Sequence, residues 1–140
     1  MPPPRPPVML SAVTNTVEPP IRVLVADDSS AFREILCSLL ASLPGIELCG
    51  VASNGFDALD VAAQTVPDLV LMDLVMPRMG GCEATRLLKL RAQSPRVVLL
   101  SICGDEELRQ ASRLAGADGF LNKSEVGTRL PGLLGLPELK

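Results

Sequence analysis

Three carboxylates stand directly after runs of aliphatic residues. Asp27 and Asp28 follow Ile21-Arg22-Val23-Leu24-Val25-Ala26, and Asp73 closes Leu69-Val70-Leu71-Met72. Ser101 ends the run Arg96-Val97-Val98-Leu99-Leu100, and Lys123 follows Gly119-Phe120-Leu121-Asn122. Taken singly, each has an ordinary role as a helix cap, a turn acid or a solvated loop residue. Brought into one crevice, the three carboxylates repel, so they must take up protons or hold a cation. The chain has no His, and Cys37, Cys49, Cys82 and Cys103 form no CxxC pair. A cation site here is therefore all oxygen, which favours a hard ion, and Mg²⁺ suits a few carboxylates plus phosphate oxygens. Lys123 and the Ser101 hydroxyl would complete an anion site beside it. A carboxylate in that company is equipped to accept a phosphoryl group as an acyl phosphate.

The elements that must position these groups follow from the hydrophobic pattern. Apolar strands are expected at 21–26, 46–52, 69–73, 96–101 and 118–122. Between them Phe32, Ile35, Leu36, Leu39, Leu40 and Leu43 recur at spacings of three and four, capped by Ser29 or Ser30 and stopped by Pro44-Gly45. A second helix is expected over 54–66 with Phe56, Leu59, Ala63 and Val66 facing inward. A third spans 81–91 through Ala84, Leu87 and Leu88, and a fourth 105–115, with acids in its first turn and Arg109 and Arg113 later. Five β–α repeats imply a doubly wound parallel sheet with helices on both faces, whose ligands bind at the C-terminal strand ends. The last repeat is weaker. Val126, Leu130, Leu133 and Leu134 keep helical spacing, but Gly127, Pro131, Gly132 and Gly135 point to a short or distorted helix.

Composition narrows the classes further. A chain of 140 residues, 47% hydrophobic and with net charge −3, suits one domain that needs no disulfide or structural metal. The cysteines read as small buried hydrophobes. Absence of His removes Ser-His-Asp and Cys-His chemistry. An acidic chain without Tyr or Trp is a poor nucleic-acid binder. No membrane-length apolar run or signal-peptide core is present, and the expected location is cytoplasmic. Residues 1–20 hold seven of the thirteen prolines and no period. They read as a disordered lead-in to a domain over 21–140, passive or offering a PxxP-like ligand.

Across 21–126 the chain resembles the receiver domain of bacterial two-component response regulators, the family that includes the chemotaxis regulator. The likeness rests on Val25-Ala26-Asp27-Asp28-Ser29, Asn54-Gly55, Pro67-Asp68-Leu69-Val70-Leu71-Met72-Asp73, Met76-Pro77-Arg78-Met79-Gly80-Gly81, Val97 to Ser101, and Gly116-Ala117-Asp118-Gly119-Phe120-Leu121-Asn122-Lys123. The resemblance implies the flavodoxin-like, five-stranded fold of order 2-1-3-4-5. It implies that Asp73 is phosphorylated by a histidine kinase or histidine phosphotransfer protein. It assigns Mg²⁺ to Asp28, Asp73 and the backbone carbonyl of Val75, with Asp27 assisting through water. Ser101 and Lys123 would contact the phosphoryl group, and Ser101 with Phe120 would form a switch toward a downstream protein target. The chain departs from the pattern at Ile102 (small in the family, and here expected to crowd the site), at Ser124, where a proline often follows the lysine, and at Gly80. With few residues beyond the receiver, output by protein contact is expected. A receiver fragment of a longer transcription regulator would read the same, and a phosphorylation-independent pseudo-receiver is the rival from another class. The only catalysis expected is the chain's own phosphorylation and slow dephosphorylation.

Overall fold

The computed structural model describes residues 19–135. The lead-in expected over 1–20 lies outside the described residues, except for the exposed Pro19 and Pro20. Five parallel strands alternate with five helices: β1 (Ile21–Ala26), α1 (Ser30–Ala41), β2 (Ile46–Ala52), α2 (Gly55–Thr65), β3 (Leu69–Asp73), α3 (Gly81–Lys89), β4 (Arg96–Ser101), α4 (Glu106–Ala115), β5 (Gly119–Asn122) and α5 (Val126–Leu133). The sheet order is β2-β1-β3-β4-β5, the flavodoxin-like doubly wound arrangement that the resemblance implies. All four ladders are parallel. Every residue of β3 is buried, because the central strand is covered on both faces. One core layer packs Leu24, Val70, Met72 and Leu99 against α2 and α3 through Ala58, Ala62, Ala84 and Leu88. The other packs Val23, Val25, Leu71 and Leu100 against Leu36, Leu40, Val126 and Leu130 of α1 and α5.

The boundaries follow local chemistry. Ser29 caps α1, its hydroxyl accepting the Phe32 N–H at 3.3 Å. Asn54 and Asp105 cap α2 and α4 in the same way. Gly80 caps α3 without a side-chain bond. The fifth helix is short, as expected, and enters through a 3₁₀ turn at Lys123–Glu125. Asn122 caps that turn by accepting from the Ser124 N–H, while Glu125 reaches back to the Asn122 N–H. The Lys123–Ser124 peptide is trans, the form expected of a non-proline bond.

Four expectations are corrected. The inner face of α2 is not Phe56, Leu59, Ala63 and Val66. Gly55, Ala58 and Ala62 are buried, while Phe56 and Val66 are exposed and Leu59 is only partly covered. The helix lies so close to its neighbours that a Cβ on Gly55 would sit 2.5 Å from the Met79 carbonyl, and one on Gly50 2.5 Å from Val61. Only small residues fit beneath it. In α1, Ile35 faces solvent rather than the sheet. The cysteines are all free, with Cys37, Cys49 and Cys82 partly buried, but Cys103 is exposed because it sits in the loop after β4. Asp118 precedes β5 instead of starting it, its carboxylate accepting from the Val97 N–H and Lys89.

Candidate functional site

The ladder between β1 and β3 pairs Ala26 with Met72, so Asp27 and Asp73 leave adjacent strands at the same height. β4 pairs Ser101 with Asn122, which sets Lys123 just beyond. The site residues thus meet at one edge because the strands end in register there. Asp27 is fully buried. Its Oδ1 accepts the Ser29 N–H at 2.8 Å, and its main-chain carbonyl accepts from the Arg33 guanidinium at 2.7 Å. One carboxylate oxygen each from Asp27, Asp28 and Asp73 lies within 4.8 Å of the others. Lys123 Nζ stands 2.8 Å from Asp27 Oδ2 and 3.3 Å from Asp73 Oδ2.

Asp73 is buried and accepts weakly from the Val75 N–H, at 3.4 Å. Burial raises its pKa, and the neighbouring Asp27 carboxylate raises it further, against the opposing pull of Lys123 and the Val75 N–H. Burial opposes the charge on Lys123, yet the two carboxylates outweigh it and raise its pKa. The buried Ser101 hydroxyl accepts the Cys103 N–H at 3.1 Å, leaving its own proton to give. Asp28, Asp73, Ser101 and Lys123 line one cleft of about 380 Å³, with Val75, Ile102 and Cys103 at its wall. Ile102 is 79% exposed, so its side chain stands largely in solvent rather than filling the cleft.

The donor set fits a hard cation on two grounds. Three carboxylates share the space with a single ammonium, so negative charge is left over. Asp27 Oδ2 is also buried with no aligned hydrogen-bond donor, its nearest positive neighbour being Lys123 by proximity alone. Such an oxygen is costly to keep unless charge nearby offsets it.

Glycine shapes the loops around this cleft. A Cβ on Gly81 would come within 2.5 Å of the Asp73 carbonyl, and the Gly81 N–H donates to the Leu74 carbonyl at 2.9 Å. The Gly55 N–H holds the Met79 carbonyl at 3.0 Å, tying α2 to the same loop. Gly81 is therefore needed for close approach to the acid-bearing strand.

Asp27, Asp28, Asp73, Val75, Ser101 and Lys123 thus stand together at this edge. Phe120 is not among them. Its ring lies under the Arg109 guanidinium, 4.9 Å from the centroid, and lines a separate pocket of about 230 Å³ between α4 and β5. Two residues beside the site escaped the sequence reading. Arg33 grips the Asp27 carbonyl, and the Phe32 ring lies 4.4 Å beneath Lys123 Nζ. By its spacing Phe32 is only one apolar position of a helix face.

Comparison with known proteins agrees with this geometry. The model of the response regulator receiver domain matches residues 23–133. A protein-glutamate methylesterase/protein-glutamine glutaminase of Myxococcus xanthus is 47% identical over 109 residues, 77% of this chain and 31% of that protein. Response regulator GacA of Pseudomonas aeruginosa is 38% identical over 103 residues, 74% of this chain and 48% of that protein. The chain therefore spans between about 31% and 48% of the length of these relatives. Among solved structures, the response regulator domain of Thermotoga maritima CheB superposes with a TM-score of 0.74 at 31% identity, covering 83% of this chain and 92% of that one. By sequence, fold and the placement of its acids, the chain belongs to the response regulator receiver domain family of two-component systems.

Proposed function

We propose that the chain is a phosphorylation switch whose acceptor is Asp73. The observation that carries this reading is the convergence on Asp73 of a second carboxylate, an ammonium 3.3 Å away and a proton-bearing hydroxyl in one cleft. The donor is the phosphorylated imidazole of a histidine kinase or histidine phosphotransfer protein. A carboxylate oxygen of Asp73 forms a bond to phosphorus as the P–N bond of the donor breaks. The electron pair leaves with the imidazole nitrogen, which takes a proton from solvent. Lys123 and the Ser101 O–H donate to the transferring oxygens and hold the product in place. Asp28, Asp73 and the Val75 carbonyl would hold Mg²⁺, with Asp27 contacting it through water. That ion, when bound, supplies charge neutralisation at the phosphoryl oxygens.

Ser101 and Phe120 relay the change to the face of α4, β5 and α5, and the output is contact with a downstream protein. Nucleic acid and membrane play no part in this reading. Among the described residues no helix is long and apolar enough to cross a bilayer. The methylesterase and GacA carry the match in only part of their length, and their further activities belong to those proteins.

The test is intact-mass measurement after incubation with a small acyl phosphate and Mg²⁺. Gain of one phosphoryl group, lost in Asp73→Asn, is the expected result. No gain in the parent would leave the pseudo-receiver, an interaction module that works without phosphorylation.

A further inference from the structure

Lys123 is the longest side chain in the site and the least constrained by its own chemistry. A lysine ammonium is a point charge on a four-carbon stem, with no planar fork to fix its direction. Its contact with Asp27 Oδ2 is a matter of distance, since that oxygen finds no aligned donor. Charge proximity alone would let Nζ slide between Asp27 and Asp73, yet transfer to Asp73 requires a fixed point of donation. The remaining neighbour is the face of Phe32, 4.4 Å from Nζ to the ring centroid. The chain has three phenylalanines, each under a cation, but Phe56 lies under Arg78 and Phe120 under Arg109, away from the acids.

The ring is placed by the same loop that places Asp27. Ser29 gives its N–H to Asp27 Oδ1 and its hydroxyl accepts the Phe32 N–H, so acid, cap and ring form one hydrogen-bonded unit. Lys123 then bridges that unit to Asp73, with only 13% of its side chain exposed. Little water competes for the ammonium there, and an aromatic face attracts a desolvated cation more strongly than an exposed one.

We infer that Phe32 is a positioning residue of the phosphoryl-transfer site, its ring fixing the Lys123 ammonium between Asp27 and Asp73. The inference rests on the phosphoacceptor reading for its kinetic consequence, but the geometry is testable without it. In the full chain, loading from a small acyl phosphate at saturating Mg²⁺ is timed by intact mass over a range of donor concentrations. Phe32→Leu is expected to lower the maximal rate about five- to thirtyfold with little change in half-saturating donor, and Phe32→Tyr to restore it. In a Lys123→Met background the Phe32→Leu change should have almost no effect, because there is no ammonium left to hold. Equal losses in both backgrounds, or a Leu variant as fast as the parent, would overturn the inference. A second arm reads the ε-methylene protons of Lys123 by NMR. Ring current should shift them upfield in the parent and in Phe32→Tyr, and the shift should vanish in Phe32→Met, a variant of similar bulk that keeps the packing. Unshifted ε protons in the parent would refute the contact itself. If the parent takes up no phosphoryl group, the phosphoacceptor reading fails, and the NMR arm alone decides whether Phe32 holds Lys123.

Discussion

Replacing Gly81 with Ala should separate the site from the fold around it. The added Cβ would lie 2.5 Å from the Asp73 carbonyl oxygen, 2.9 Å from Leu99 Cδ2 and 3.0 Å from Leu74 Cα. The leucine methyl can turn away, but the other two are main chain of the segment that carries Asp73. Ordinary contact begins near 3.4 Å, so the strand end or the start of α3 must retreat by roughly 0.9 Å. Overpacking of this kind costs about 1–3 kcal/mol, offset by about 0.4–1 kcal/mol from the stiffer unfolded chain. A net loss of about 1–2 kcal/mol lowers the melting midpoint by roughly 3–10 °C for a domain of this size. The acceptor oxygen moves with its strand, and a misplacement near 1 Å costs on the order of 10²-fold in rate. Far-UV circular dichroism gives the midpoint, and intact mass against time gives phosphoryl loading. Gly127→Ala is the control: it lies in α5 with nothing within 4 Å of the added carbon, and should stabilise by about 0.5–1 kcal/mol without slowing loading. A Gly81→Ala protein that melts and loads like the parent would refute the claim that this glycine sets the acceptor's position.

Further expectations concern charge. Saturating Mg²⁺ should raise the melting midpoint, by about 2.7 kcal/mol of stability at a hundredfold excess over its dissociation constant, and Asp28→Ala should abolish the response. Without metal, the raised pKa of Asp73, which faces Asp27, Asp28 and Lys123, means that the folded chain binds the extra proton. Stability should then fall as pH climbs from the usual carboxylate range through that raised value. Asp73→Asn should flatten this descent and melt higher than the parent at neutral pH, as paired thermal melts in a chelator would show. Asp118 behaves in the opposite sense. Burial alone would raise its pKa, but Lys89 at 2.6 Å and the Val97 N–H hold it below the usual value. Its contribution is present above the unfolded value and disappears as pH falls through the folded one. Asp118→Asn should therefore cost about 1 kcal/mol or less at neutral pH and nothing in strong acid, on the same melts.

The fold was legible where burial and period agree. β3 is apolar throughout because both its faces are covered, and α1 and α5 bury the leucines and valine that their spacing selects. In α2 the pattern was ambiguous at the level of physics. Phe56, Leu59, Ala63 and Val66 lie on one helical stripe, and Ala58 and Ala62 on another. Hydrophobicity favours the larger set, but Gly50 and Gly55 bring the helix too near its neighbours for large side chains. Interlayer distance chooses the face, and single-helix periodicity does not contain that distance. Cys103 was misread for a related reason. A cysteine's polarity says little about its place, whereas its position in the β4–α4 loop exposes it.

The acids of the site were legible because each ends an apolar strand, and a parallel sheet brings those ends to one edge. What lies beneath the ammonium was not. β5 and β1 are separated in the sheet by β3 and β4, so Lys123 meets Asp27 only through the length of its stem. Which ring it passes depends on how the Asp27–Ser29–Phe32 turn closes, through two hydrogen bonds that spacing does not reveal. A parallel sheet with helices on both faces can be argued from the pattern of elements. The direction of a flexible cation depends on the turn that holds its neighbours, and that turn places Asp27 and Phe32 together.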